Sequence, residues 1–344
     1  MLDLRSSAWH KDETVIENIL IKNFKILQRV GLTLRPLTII VGPNASGKSC
    51  ILQALTHVGF VYPAATWEAL HSQGFEESVQ MQGNGRYAGK ALTFEVDIQR
   101  GKSSSDRRIK LDGSTAYLAP DDLKILLLKL EPSRLAQPSS AGRTSLSASD
   151  ALPSVLADLH LEDISRFYGV VQRLKEVVPE VLDLHVRRVP DSGLSDARYE
   201  LIFDMKGAKG LPAHSVGEGI LLSLVLLTIL SAAKPPQLIL IDDLERGLHP
   251  RALKSLIREF RRIQELNPEL QIIATSHSPY LLDFVEAKEV FLTSLNEDGY
   301  AVVRPLTDHP EYERWKSLMA PGEFWSTVGE SWITKKDTEP AKAE

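Results

Sequence analysis

The chain opens in strands and closes in alternating strands and helices. Residues from Ile16 to Leu34 (IENILIKNFKIL, then VGLTL) read as strands. Leu37 to Val41 (LTIIV) is short, wholly apolar and β-branched, as a central strand covered on both faces should be. Lys48 to Val58 changes to a helical spacing, with Ile51, Leu52, Leu55 and Val58 on one side. The stretch that follows is less regular. Ala91 to Gln99 (ALTFEVDIQ) alternates and predicts a strand, and Arg108 to Leu111 and Lys124 to Leu130 predict two more. Pro132 to Asp150, rich in Ser, Pro and Ala, predicts a surface loop. Asp163 to Val178 has helical spacing, and Val181 to Val189 with Arg198 to Met205 reads as a strand pair. After Leu211 the order is helix (Gly217 to Ala233), strand (Leu238 to Ile241), helix (Arg251 to Leu266), strand (Leu270 to Thr275) and a short helix from Pro279. That alternation predicts a parallel sheet. There is no internal repeat and no heptad run long enough for a coiled coil.

Composition narrows the class. Of 344 residues, 43% are apolar and 25% charged, the balance of an ordinary globular protein. The net charge of −5 argues against a dedicated nucleic-acid coat protein. Cys50 is the single cysteine, so no disulfide forms within one chain, which fits a reducing compartment. Met1 to Thr14 has no apolar core and does not read as a secretory signal. The longest near-continuous apolar run, Ile220 to Ala233, falls short of the roughly 20 residues that span a bilayer. The expectation is a cytoplasmic protein with no membrane association and a frayed, charged tail from Thr334 to Glu344.

The chemistry sits at the end of the first apolar strand. Gly42, Pro43, Asn44, Ala45, Ser46, Gly47, Lys48 and Ser49 fit GxxxxGK(S/T). The glycines let backbone N–H groups turn inward around a phosphate, and the following helix points its positive end at the anion. In such a loop Lys48 reaches the β- and γ-phosphates and the Ser49 hydroxyl binds Mg²⁺. A chance match in a chain of this length has odds of about one in a hundred, and the strand before and helix after lower them further. The second half of such a site is an acidic residue ending another apolar strand. Leu238 to Ile241 followed by Asp242 and Asp243 supplies it, with Asp242 placed to hold the Mg²⁺.

Two stretches together, IENILIKNFKIL…LTIIVGPNASGKS and LILIDDLERGLHPRAL…IIATSHSPYLLD, resemble SMC-, RecF- and OLD-type ATPases, and among them the stand-alone bacterial AAA-21 (AbiEii-like) group. The C-terminal GEFWSTVGESW is similar to a tail of that group. The resemblance implies an α/β P-loop NTPase fold: an ABC-type ATPase head whose mixed and parallel sheet is flanked by helices, with a second lobe of helices and strands. It implies a P-loop core lobe from 15–58 and 234–330, and an inserted lobe from 59–233 that ends in the signature helix. It also implies an ATP-dependent homodimer, each nucleotide held between one subunit's P-loop and the other's signature motif. Ser215, Gly217 and Glu218 stand at the signature position, where an N-terminal capping box on Ser215 and Glu218 is a compatible structural reading. His277 stands where the family has its switch histidine, and Asp243 where it has a glutamate as general base. Gln137 is the candidate for the metal-contacting glutamine and reads equally as a solvent-exposed loop residue.

The implied function is ATP hydrolysis coupled to control of a partner effector, a nuclease or toxin, in anti-phage defence or DNA maintenance. Asp for Glu keeps a non-hydrolysing, ATP-gated scaffold or sensor as an alternative. The nucleotide-binding subunit of an ABC transporter is a further alternative, weakened by the degenerate signature and the SMC-like opening. Arg251, Lys254, Arg258, Arg261 and Arg262 on one helix are either a solvated face or a contact to DNA phosphates. Cys50 reads as a small buried residue rather than a reactive thiol. No Cys/His metal cluster and no Ser/His/Asp hydrolase pattern is evident.

Overall fold

The structure is a computed structural model that describes residues 14–59, 78–99, 106–118, 123–128, 131–142, 151–190, 198–232 and 235–334. The first thirteen residues, the Ser/Ala-rich part of the expected loop at 143–150 and the charged tail from 335 onward lie outside the described residues. Its contacts divide into two compact units. One comprises Met1–Leu127, Gln237–Asp242 and Asn267–Glu344, the other Leu128–Pro236 and Asp243–Leu266.

In the first unit β1 (Thr14–Phe24) and β2 (Leu27–Thr33) form an antiparallel hairpin. β4 (Val79–Tyr87) pairs antiparallel with β1 on its other side, and β5 (Lys90–Ile98), β6 (Asp106–Leu111) and β7 (Ser114–Thr115) continue that sheet outward. The alternation is that of a sheet with one covered face. Ile19, Ile21, Val30, Leu32, Met81, Val96 and Ile109 are buried, with polar residues between them. The second sheet of this unit runs in the order β16-β15-β3-β14-β13-β8. Its core is parallel: β3 (Leu37–Val41) lies between β14 (Gln271–Ser276) and β15 (Val290–Leu295), and β13 (Leu238–Ile241) flanks β14. β8 (Ile125–Leu128) and β16 (Ala301–Pro305) close the edges, β16 antiparallel to β15. All five residues of β3 and all four of β13 are buried, as continuous apolar runs require when both faces are covered. α1 (Lys48–Thr56) follows β3 and adds Ile51, Leu52 and Leu55 to the shared core. Gln271 fastens the two sheets from inside. Its amide accepts from the Ile16 N–H and donates to the Ile16 carbonyl, both at 2.8 Å. Short helices α7 (Pro279–Leu282), α8 (Tyr312–Trp315) and α9 (Pro321–Val328) complete the unit.

The second unit holds α2 (Pro132–Leu135), β9 (Ser139–Ser140), α3 (Leu152–Glu162), α4 (Ile164–Val177), β10 (Val181–Val189), β11 (Arg198–Met205), β12 (Ala208–Pro212), α5 (Glu218–Leu230) and α6 (Pro250–Leu266). β9, β10 and β12 pair with β11. Every residue of α5 from Leu221 to Leu230 is buried, which explains a helix apolar all round. α6 buries Leu253, Leu256, Ile257, Phe260 and Ile263 and turns its basic residues outward.

Two expectations change. Residues 132–142 are more than a loop: Leu135 is fully buried, and Ser139 and Ser140 pair with Tyr199 and Arg198 of β11. Ser139 Oγ also accepts from the Ser154 N–H at 2.7 Å, so a polar stretch is held by hydrogen bonds rather than by apolar periodicity. The expected division of the chain also moves. Residues 78–118 belong to the first unit because β4 pairs along the length of β1, and α6 groups with the second because α4 packs on it.

Candidate functional site

The parallel ladder brings three chain segments to one edge of the central sheet. Val41 at the end of β3 pairs with Ser276 at the end of β14, and Ile241 at the end of β13 pairs with Ala274. The residues that leave these strands are Gly42, His277 and Asp242, so the carboxyl ends of three adjacent parallel strands converge, where open α/β sheets bind ligands.

Each loop residue has a local reason. Gly42 has φ +150, and a Cβ there would sit 2.3 Å from the Thr293 carbonyl oxygen and 2.5 Å from Thr293 Oγ1. Ala45 (φ 61) and Gly47 (φ 100) also lie in left-handed backbone, which curls the loop back before α1. Pro43, Asn44 and Ala45 are exposed at its crest, whereas Ser46, Gly47 and Lys48 are buried. Lys48, 5% exposed, donates from Nζ to the carbonyls of Gly42 and Pro43 at 2.9 and 2.7 Å. The ammonium is thus already held inside the loop. Ser46 Oγ meets Thr293 Oγ1, which itself donates to the Val41 carbonyl at 3.2 Å. Thr293 on β15 therefore supports the loop from behind, a role the sequence reading missed. Cys50 packs partly buried against the apolar core, which favours the structural reading of that thiol.

The two halves of the expected metal site meet. Ser49 Oγ donates to Asp242 Oδ1 at 3.0 Å, and Thr275 Oγ1 donates to the same oxygen at 2.7 Å. Ser49, Asp242 and Thr275 form an all-oxygen set, the donor chemistry that hard cations such as Mg²⁺ select. These residues fit the metal, and the glycine-lined loop with its enclosed lysine fits a nucleotide phosphate chain. Thr275 was not anticipated. Its only signal was a hydroxyl inside the apolar run QIIATS, and that signal is shared with Thr293 in VFLTSL.

Asp243, the next residue, is exposed and has φ 56, a left-handed conformation that Asp tolerates better than most side chains. His277 is exposed beyond the end of β14, and Ser278 N–H donates to Ser276 Oγ at 3.0 Å, bending the chain there. In the second unit Ser215, Gly217 and Glu218 are exposed. The capping box that was the compatible structural reading at this point does not form. Gly217 is the N-cap of α5 with no side-chain hydrogen bond, and Ser215 closes a separate 3-10 turn, Ala213–Ser215. Ser215 thus lies outside the helix, which leaves the capping alternative unmet. The next residue, Gly219, is packed tightly: a Cβ there would lie 2.3 Å from the Gly247 carbonyl oxygen. Gln137 also lies in the second unit, exposed, with its amide donating to the Ser133 carbonyl at 3.4 Å. On α6, Arg251, Lys254, Arg258 and Arg262 are exposed; Arg262 pairs with Glu259 at 3.1 Å. Among the described residues there is no cluster of three His, Cys, Asp or Glu that could hold a metal, and no helix long and apolar enough to cross a membrane.

Comparison with known proteins agrees with this geometry. The chain is 24% identical over 353 aligned positions to the OLD nuclease of Thermus scotoductus, covering 84% of this chain and 64% of that protein. It is 38% identical over 69 residues to the Septu protein PtuA of Bacillus thuringiensis, covering 20% of this chain and 17% of that one. The chain therefore spans less than two thirds of either relative. Among solved structures, an Smc head domain with an extended coiled coil, bound to the C-terminal domain of ScpA from Pyrococcus furiosus, superposes with a TM-score of 0.60. The match covers 88% of this chain and 100% of that one at 13% identity, a likeness of fold. The family described as "AAA domain, putative AbiEii toxin, Type IV TA system" matches residues 37–283. That span is well over half of the chain and runs from the start of β3 to Asp283, so the chain belongs to this family.

Proposed function

We propose that the chain binds ATP with Mg²⁺, closes into a homodimer around the nucleotide and hydrolyses it slowly, and that this cycle controls a partner effector in the cytoplasm. The observation that carries the reading is the junction of Ser49, Asp242 and Thr275 beside a loop that already encloses Lys48. Lys48 would neutralise the β- and γ-phosphate oxygens, and the backbone of Gly42 to Ser49 would cradle them. Ser49 and Asp242 would hold Mg²⁺, which when bound offsets the charge on those oxygens. Asp243 would accept the proton of the attacking water, and His277 would face the γ-phosphate. The exposure of Ser215, Gly217 and Glu218 supports their use in trans, as a signature surface presented to a second copy. Likeness to an OLD nuclease and to a Septu protein supports a setting in anti-phage defence or DNA maintenance. No nuclease or toxin motif is read in this sequence, so that chemistry is assigned to the effector.

The composite site has a direct test. Ser215→Arg and Lys48→Ala proteins should each be inactive, yet a mixture should recover ATPase activity, because one site per heterodimer joins an intact loop to an intact signature. A chain that stays monomeric by light scattering in saturating ATP and Mg²⁺ sinks the dimer. Tight ATP binding with no turnover at all transfers the assignment to a non-hydrolysing scaffold.

A further inference from the structure

The residues after 283 lie beyond the family match, and they close on the segment that carries His277. α7, Pro279–Leu282, begins two residues after His277 and buries Leu281 and Leu282 completely. Against it sits the first turn of α9. Gly322 approaches so closely that a Cβ there would lie 2.0 Å from the Pro279 carbonyl oxygen and 2.6 Å from Asp283 Oδ1. The contact is polar as well as steric: Gly322 N–H donates to Asp283 Oδ1 at 2.9 Å. α9 is in turn fixed. Phe324 is buried edge-on to the rings of His309 and Tyr312, 5.1 and 5.9 Å away, and Trp332 also lies edge-on to His309 at 5.0 Å. Trp325 Nε1 donates to Glu330 at 2.8 Å. The His277 segment is therefore tied at both ends, to the central sheet through β14 and to the C-terminal segment through Asp283.

We propose that the C-terminal segment from Leu306 to Thr334 is a positioning element for His277, and that Gly322 and Asp283 are the residues through which it acts. The inference rests on the functional reading above. His277 is exposed on a short bend between β14 and the four-residue helix α7, so displacing that helix displaces the bend. The tail removes the freedom of the helix end of that bend. Misplacement by about 1 Å can lower a rate on the order of a hundredfold while leaving distant binding contacts intact. The P-loop residues make none of these tail contacts, so a loosened tail should change hydrolysis and spare ATP affinity.

The test uses the full chain and two readouts, the ATP dissociation constant with Mg²⁺ and the single-turnover hydrolysis rate. Gly322→Ala and Asp283→Ala should each slow hydrolysis about tenfold or more with ATP affinity changed less than about twofold. Asp283→Asn keeps the accepting oxygen and should recover most of the rate. In a His277→Ala background neither substitution should slow hydrolysis further, because residues acting as a unit are not additive. Wild-type rates in both tail variants, or full additivity with His277→Ala, overturn the inference. Should Gly322→Ala fail to fold, Asp283→Ala against Asp283→Asn decides by the same criteria. A His277→Ala protein that hydrolyses ATP at the wild-type rate overturns the role of His277 itself, a failure distinct from additivity in a background where His277 matters.

Discussion

Exchanging Asp243 for Glu, Asn and Gly separates the chemistry of this position from its backbone. The residue is exposed and has φ 56, so its left-handed backbone is the constraint that each replacement meets. Left-handed backbone costs an L-residue roughly 1–2 kcal/mol, with Asp and Asn at the low end because their short polar side chains bond locally. Glycine pays no such steric cost, so Asp243→Gly should gain stability by up to about 1 kcal/mol while losing the carboxylate. Asp243→Glu should lose a few tenths to about 1 kcal/mol from the backbone but extend the carboxylate by one methylene, about 1.5 Å. If hydrolysis is slow because the base stops short of the water, that extension should raise turnover by up to about a hundredfold, or about 2.7 kcal/mol of barrier. It should also shorten the life of the ATP-bound dimer. Asp243→Asn should abolish turnover and preserve ATP-dependent dimerisation. The assays are phosphate release at saturating ATP, dimer lifetime after ATP is chased with ADP, and urea unfolding without nucleotide. Rapid turnover by the wild type that Glu slows would refute the argument and mean that the left-handed backbone already delivers the shorter acid to the water.

Three further outcomes follow from single contacts. Thr275→Val keeps the shape of a fully buried residue but removes the 2.7 Å donor to Asp242, so stability should fall by about 1.5–3 kcal/mol in chemical unfolding and the Mg²⁺ requirement for ATP binding should rise. Gly42→Ala puts a methyl 2.3 Å from the Thr293 carbonyl oxygen, so ATP affinity measured by titration calorimetry should drop by about tenfold or more, and Thr293→Ala should restore part of it only if the side-chain contact, not the carbonyl, dominates. His57 is buried, and desolvation, then the nearby Arg107 and Lys25 charges, push its pKa from 6.5 down to about 4. The folded state thus holds it neutral while the unfolded chain takes up a proton below pH 6.5. Stability is full above that pH and is lost as pH falls toward 4, by about 2–3 kcal/mol more than in His57→Phe, as paired unfolding curves at pH 7 and 4.5 would show.

How far the sequence spoke depended on whether a residue's role was local. The P-loop and the acidic strand end were legible because Gly42, Gly47, Lys48, Ser49 and Asp242 act within a few residues of an apolar strand. The residues that brace them were not. Thr275 and Thr293 work through contacts with residues far away in sequence, and a lone threonine in an apolar strand carries no periodic mark. β4 escaped for the opposite reason. VQMQGNGRY is poor in β-branched residues, yet Gly83 and Gly85 let it lie against β1, where added Cβ atoms would come within 2.6 Å of the Asn18 carbonyl oxygen and 1.9 Å of the Val15 carbonyl oxygen. In this strand the missing side chains are what the pairing needs.

The same distinction orders the site itself. Residues that meet phosphate or metal are specified by short motifs, because backbone curvature and one or two side chains suffice to make the contact. In the proposed cycle, the residues that would set its timing are specified by tertiary placement. Asp243 depends on a left-handed turn, Ser215 on a 3-10 turn that ends before α5, and His277 on a bend tied to Gly322. Changes in the first group should therefore act mainly on affinity. Changes in the second should act mainly on rate and on the lifetime of the closed state. A survey of alanine variants at Ser49, Asp242, Ser215, His277 and Asp283 would expose this as two groups in a plot of ATP affinity against single-turnover rate. If all five move both quantities in fixed proportion, binding and turnover share one set of contacts and the division of labour argued here does not exist.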